Sequence, residues 1–128
     1  MLRKFLFLAA LLPAGTALAA SAVAYTDTGI YGYAYNHPNA SRALQAAVSH
    51  CARRSADCTR VASTSAEAGY SAVASGSGAF GHALAESDAR TAIDKAMAMC
   101  KQQANDCQLE FLWREKPVQP MPPIPTHP

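Results

Sequence analysis

Four cysteines, four histidines and a row of alternating tyrosines are the residues of this 128-residue chain best equipped for chemistry. Cys51 and Cys58 are separated by six residues, as are Cys100 and Cys107. That is neither the C-x-x-C spacing of a thiol-redox site nor the short-knuckle spacing of a structural zinc site. An even count in an exported chain points to two structural disulfides. His37, His50, His82 and His127 are scattered, with no two at i, i+3 or i+4, so no histidine pair presents a metal ligand set. His82 is the first candidate for a catalytic or metal role because it occupies a hairpin position. No G-x-S-x-G elbow occurs, and Ser75-Gly76-Ser77-Gly78 reads as a turn rather than a nucleophile loop or phosphate cradle. Asp57 and Asp106, each beside the second cysteine of its pair, read as turn or strand-entry hydrogen-bond groups. Asn39-Ala40-Ser41 fits a glycosylation sequon but falls at a predicted helix start. The expectation is a protein with no catalytic residues, no metal and no cofactor.

The tyrosines are the exception to structural noise. Tyr31, Tyr33 and Tyr35 alternate with Gly32 and Ala34, so in a strand the rings share one face and the small residues, with Ile30, share the other. The small face suits a close-packed helix. The ring face suits recognition, since tyrosine brings large contact area at low entropic cost. The corresponding stretch further along carries Phe80, His82 and Leu84. Tyr31, Tyr33, Tyr35, Phe80 and His82 are therefore the candidate binding face; the competing reading is that two sheet halves cover each other's aromatics.

The elements that must position these residues come in duplicate. Both cysteines recur at a shift of 49, and so do Gly29 on Gly78, Gly32 on Gly81, Ala43 on Ala92, Leu44 on Ile93 and Ala47 on Ala96. Ser21-Ala22-Val23-Ala24 recurs as Ser71-Ala72-Val73-Ala74 at a shift of 50, the turn being one residue shorter in the second copy. Chance alignment of alanines would not bring cysteines, glycines and an apolar helix face into one register. Each copy reads as two short strands around a turn, a helix and a last strand. Ala40, Ala43, Leu44, Ala47, Val48 and Cys51 form one helical face, and Ala89, Ala92, Ile93, Ala96, Met97 and Cys100 repeat it. Asn36 or Asn39 starts the first helix, and Ser87 or Asp88 the second. The predicted fold is α+β: a tandem, pseudo-symmetric duplication of a β-β-α-β unit, helices packed on antiparallel sheet, one disulfide per unit. Each bridge, Cys51–Cys58 and Cys100–Cys107, would pin a helix end to the next strand. The symmetric rival joins Cys51 to Cys100 and Cys58 to Cys107.

Around this core the ends differ. Arg3 and Lys4, the apolar run Phe5–Leu12, then Ala17-Leu18-Ala19 have the order of a secretory signal peptide over 1–19. The domain would occupy 20–113, with units at about 21–64 and 70–113, and a Pro-rich tail 114–128 would follow. Without Arg3 and Lys4 the chain keeps nine basic and nine acidic residues, so it lacks the cationic footprint of a nucleic-acid binder. Arg53-Arg54 is the basic pair that remains, read as a solvated helix end. No stretch is long and apolar enough for a membrane span.

The S-A-V-A opening, the glycine-aromatic hairpin Tyr31-Gly32-Tyr33, the helix Ala40 to Cys51 and the second cysteine Cys58, all repeated about 49 residues on, resemble a family of small exported bacterial proteins known as domain of unknown function 4189. The resemblance runs over roughly Ser21 to Trp113. It implies export and a compact domain and transfers no activity. The functional expectation is a periplasmic or secreted, non-enzymatic binding protein, an inhibitor or immunity-type protein being one form. Its partner would be a protein or envelope component. A cryptic secreted enzyme and an envelope-associated structural protein are the alternatives.

Overall fold

A computed structural model describes residues 19–66 and 68–116. The first unit is β1 (Ala20–Tyr25), β2 (Tyr31–His37), α1 (Ala40–Ala52) and β3 (Arg60–Thr64). The second is β4 (Gly69–Gly76), β5 (Ala79–Glu86), α2 (Ala89–Lys101) and β6 (Gln108–Glu115). Each unit forms one antiparallel three-stranded sheet, ordered β2-β1-β3 and β5-β4-β6, so the S-A-V-A strand is central in both. The duplicated β-β-α-β fold read from the repeat is the fold observed. The bridges are the local pair, Cys51–Cys58 and Cys100–Cys107.

Strand alternation builds the layers. Ala20, Ala22, Ala24 and Ala34 pack against Ala43, Ala47 and Cys51 of α1. Ala72, Ala74, Ala79 and Ala83 pack in the same way against Ala92, Ala96 and Cys100 of α2. The opposite faces of the two sheets meet: Val23, Val73, Phe80 and Trp113 form one buried cluster, flanked by Tyr25, Tyr31, Tyr33, Ala62, Leu84 and Phe111. The molecule is thus helix, sheet, sheet, helix, with the small residues under the helices and the large rings between the sheets.

The helices lie closer to the sheets than side chains normally permit. A Cβ at Gly32 would sit 2.4 Å from the Ala47 carbonyl oxygen, and one at Gly81 would sit 2.0 Å from that of Ala96. With backbone against backbone, only one row of small side chains fits beneath each helix. The buried row is therefore Ala43, Ala47, Cys51 and its copy Ala92, Ala96, Cys100, narrower than the predicted face; Val48 is left exposed. Asn39 and Asp88 cap the helices, their side chains accepting from the Arg42 and Thr91 amides at 2.9 and 2.8 Å. The hydrogen bonds from Thr91 and Ser87 hold the Asp88 carboxyl below its ordinary pKa.

Strand β6 runs two residues past Trp113, so Arg114 and Glu115 belong to the sheet rather than to a tail. The Pro-rich segment 117–128 lies outside the described residues, as does the predicted signal segment except for Ala19, which is buried beside Ala20. Among the described residues no helix is long and apolar enough to cross a membrane.

Candidate binding face and the groove beside it

The sheet-on-sheet contact decides what becomes of the tyrosine row. β6 crosses over β2, and Tyr33 stacks on Phe111 and Trp113 with centroids 5.5 and 5.6 Å apart. Tyr35 lies 5.4 and 5.5 Å from the same two rings, and Tyr31 stacks on Phe80 at 4.8 Å. Tyr31 and Tyr33 are consequently half-buried, while Tyr35 keeps 39% of its surface exposed. The two sheets do cover much of each other's aromatics, and the row offers a partner its rim and one end rather than its full face.

Two other predicted members fall elsewhere. Phe80 is only 4% exposed, wedged between Tyr31 and Tyr25, so it belongs to the core and not to a binding surface. Burying a ring of that size between facing sheets stabilises more than leaving it in water. His82 lies beyond Phe80, half-buried against Tyr25 at 5.5 Å, with its Nδ1 buried and without a hydrogen-bond partner. Desolvation lowers its pKa. The tyrosine row and His82 are therefore separated by Phe80 and do not form one continuous face.

What lies beside the tyrosines was not legible in strand alternation. A groove of about 580 Å3 runs along β2 and under the end of α1, lined by Tyr31, Tyr33, Tyr35, His50, Arg53 and Arg54, with His37 at one end. β2 is an edge strand, and helix side chains cover part of its open edge. His50 Nδ1 donates to the Tyr33 carbonyl at 3.1 Å and Arg54 Nη2 to that of Tyr31 at 3.5 Å. The Arg54 guanidinium also stands 5.6 Å from the centre of the Tyr31 ring. Burial raises the pKa of the Tyr31 and Tyr33 hydroxyls, with Glu110 of β6 adding to both and the neighbouring phenols adding to Tyr33, so both remain donors. Glu110 itself accepts from Ser75 Oγ at 2.6 Å and is not part of the lining.

The repeat supplies an internal control. At a shift of 49, His37, His50, Arg53 and Arg54 correspond to Glu86, Met99, Gln102 and Gln103. Both helices close with the same backbone bonds: Arg53 and Arg54 amides to the His50 and Cys51 carbonyls, Gln102 and Gln103 amides to those of Met99 and Cys100. The fold thus closes a helix here without arginines. In the second unit the corresponding place is a smaller cavity, about 220 Å3, shared with Tyr25, Asp27 and Arg60 of the first. The third strands differ as well: β6 carries Phe111 and Trp113 where β3 carries Ala62 and Thr64 at the matching register positions.

A second feature escaped sequence reading altogether. Glu115, 1% exposed, accepts from Ser21 Oγ and Ser71 Oγ at 2.6 Å each and from Trp113 Nε1 at 2.8 Å. Trp113 Nε1 also donates to Ser21 Oγ at 3.0 Å, and the Ala85 amide to Ser71 Oγ at 2.8 Å. The two serines that open the repeated S-A-V-A strands thus meet on one carboxylate, an acceptor-only group that suits three donors. The available signal was the recurrence of a polar residue at the start of two otherwise apolar central strands. Asp106 behaves as a turn group, accepting from the Ser77 hydroxyl and amide, which lowers its pKa; the Asp57 backbone instead makes the corner bonds in the first unit.

Among the described residues no group of three or more histidine, cysteine, aspartate or glutamate side chains could hold a metal ion. These features define a class: a small, disulfide-clipped, internally duplicated α+β domain with an open groove on its first repeat. The chain belongs to the family described as Domain of unknown function (DUF4189), whose model matches residues 19–114. No curated protein and no solved structure matches the chain.

Proposed function

We propose that this chain is an exported binding protein, acting in the periplasm or outside the cell, that holds a partner in the β2–α1 groove of its first repeat and performs no catalysis of its own. An inhibitor or immunity-type protein that blocks a partner enzyme is the specific form this reading favours, because a rigid, disulfide-held scaffold limits the entropy lost on binding. The observation that supports it is the one-sidedness of the groove. Two copies of one fold carry the same structural demands, yet only the first keeps two arginines, two histidines and exposed tyrosine at these positions. The same one-sidedness speaks against a purely structural envelope role, which would use both repeats alike.

Retention of envelope material on the immobilised mature protein tests the reading when run beside Tyr35→Ala. Tyr35 packs on Phe111 and Trp113 at the rim, so its removal should lower the melting temperature modestly. With capture measured well below that temperature, where the variant is folded, capture of a specific partner should weaken by at least about 1 kcal/mol. Equal retention by both forms would defeat the reading. Turnover of envelope material by the mature protein, undiminished in the variant, would replace it with an enzymatic one.

A further inference from the structure

We propose that the groove takes an extended acidic segment of a partner protein, laid along β2 with its carboxylates on Arg53 and Arg54. This rests on the binding reading above and names the chemistry of its partner.

Shape is the first argument. The lining includes every residue from Tyr31 to Tyr35 along an edge strand, a run of about 17 Å at the usual strand rise, and the groove is open along it. That is the footprint of an extended chain, not of a compact ligand enclosed on all sides. The second argument is the polarity of what is on offer. Two carbonyls on this edge of β2, those of Tyr33 and Tyr31, already accept from His50 and Arg54, and the arginine guanidinium groups remain as the charged donors at the groove. No lining residue is acidic, and among the described residues neither Arg53 nor Arg54 has a carboxylate within ion-pair distance, a state they share with Arg42, Lys101, Arg114 and Lys116 but which here places two adjacent cations at one groove. A ligand that brings acceptors in a planar fork meets this arrangement best. The third argument is again the repeat, where neutral Gln102 and Gln103 close the equivalent helix end.

The test pans a library of short random peptides against the full mature chain with its disulfides intact. Enriched peptides are then titrated by fluorescence anisotropy against the native protein and the Arg53→Gln/Arg54→Gln double variant, which installs the residues of the second repeat. Enriched sequences should be rich in Asp and Glu. They should bind about tenfold more weakly to the double variant and weaken further with added salt, and Gln102→Ala/Gln103→Ala should change nothing. Neutral or basic winners, no enrichment, or affinity indifferent to the arginine exchange would each overturn the proposal. So would binding of oligogalacturonate, an acidic glycan, in place of any peptide. If capture of envelope material is lost with Tyr35→Ala but survives the arginine exchange, the binding reading stands and the acidic partner falls.

Discussion

Three donors converge on the Glu115 carboxylate, and two of them come from strands 50 residues apart in the chain. Removing that acceptor in Glu115→Ala strands two buried serine hydroxyls and opens a hole beside Trp113. The expected loss is about 3 kcal/mol in urea unfolding. Glu110→Ala on the same strand, which removes an exposed contact to Ser75, should leave stability nearly unchanged; a similar loss at both sites would show that Glu115 is not the hub. Glycines separate in the same way. Gly81→Ala drives a methyl group into the Ala96 carbonyl and should cost about 3 kcal/mol, whereas a Cβ at Gly78 meets nothing nearer than the Thr28 carbonyl oxygen at 4.0 Å and pays mainly for its positive φ. His82 contributes to the pH dependence of stability near neutrality, above the range where Asp88 and Asp106 titrate. Its pKa is lowered below the ordinary 6.5 by burial, so near and below that pH the unfolded chain binds more protons than the folded one. Stability should be full above about pH 6.5 and decline as pH falls through it towards the depressed folded value. His82→Leu should flatten that part of the acid limb in melting temperatures measured across pH; an unchanged slope would assign it to other groups.

At the scale of elements, each unit depends on a helix clamped to a strand. The alanine-rich interface buries little area per residue, so the clip that joins α1 to β3, or α2 to β6, carries an unusual share of stability. Each bridge closes a loop of six intervening residues, and the pair Cys100→Ser/Cys107→Ser should cost about 2 to 3 kcal/mol. Non-reduced peptide mapping should find Cys51 with Cys58; a peptide linking Cys51 to Cys100 would contradict the local pairing. The bulges follow the repeat as closely as the bridges do. β1 and β4 both slip register at their starts, and the partner strands answer with a left-handed residue at equivalent positions, Asn36 with φ 59° and Ala85 with φ 55°. Asparagine takes that conformation at lower cost than alanine, so Ala85→Asn should raise the melting temperature.

For the whole molecule, the sheet-on-sheet layer makes the two repeats one folding unit. Val73, Phe80 and Trp113 of the second repeat are covered by Val23 and the tyrosines of the first, and Ser21 supplies one of the donors to Glu115. The second repeat alone, residues 68–116, would expose that cluster to water and should show no cooperative thermal transition. A sharp transition in the isolated repeat would make the units independent domains. Truncation after Lys116, by contrast, should leave the melting temperature nearly unchanged, because β6 is complete at Glu115.

Local pattern determined the elements, the duplication and which face of each strand is small, and favoured the local disulfides over the symmetric cross-repeat pairing that the structure then excluded. Alternation and helical periodicity are properties of neighbouring residues, and a repeat forces equivalent answers twice. Asp88 and Asn39 could be read as caps, and Gly32 as a point of close approach, for the same reason. Only the tertiary structure decided which large faces meet. That choice follows from how two twisted sheets bury the most ring surface, with Phe111 and Trp113 brought under a strand some 80 residues earlier in the chain. It sent Phe80 into the core and left Tyr35 at the rim, while the packing of α1 on the small face of its own sheet placed Arg53 and Arg54 along the tyrosine strand. It also turned Glu115, which beside a Pro-rich segment looks like a solvated charge, into the buried acceptor that joins the two halves.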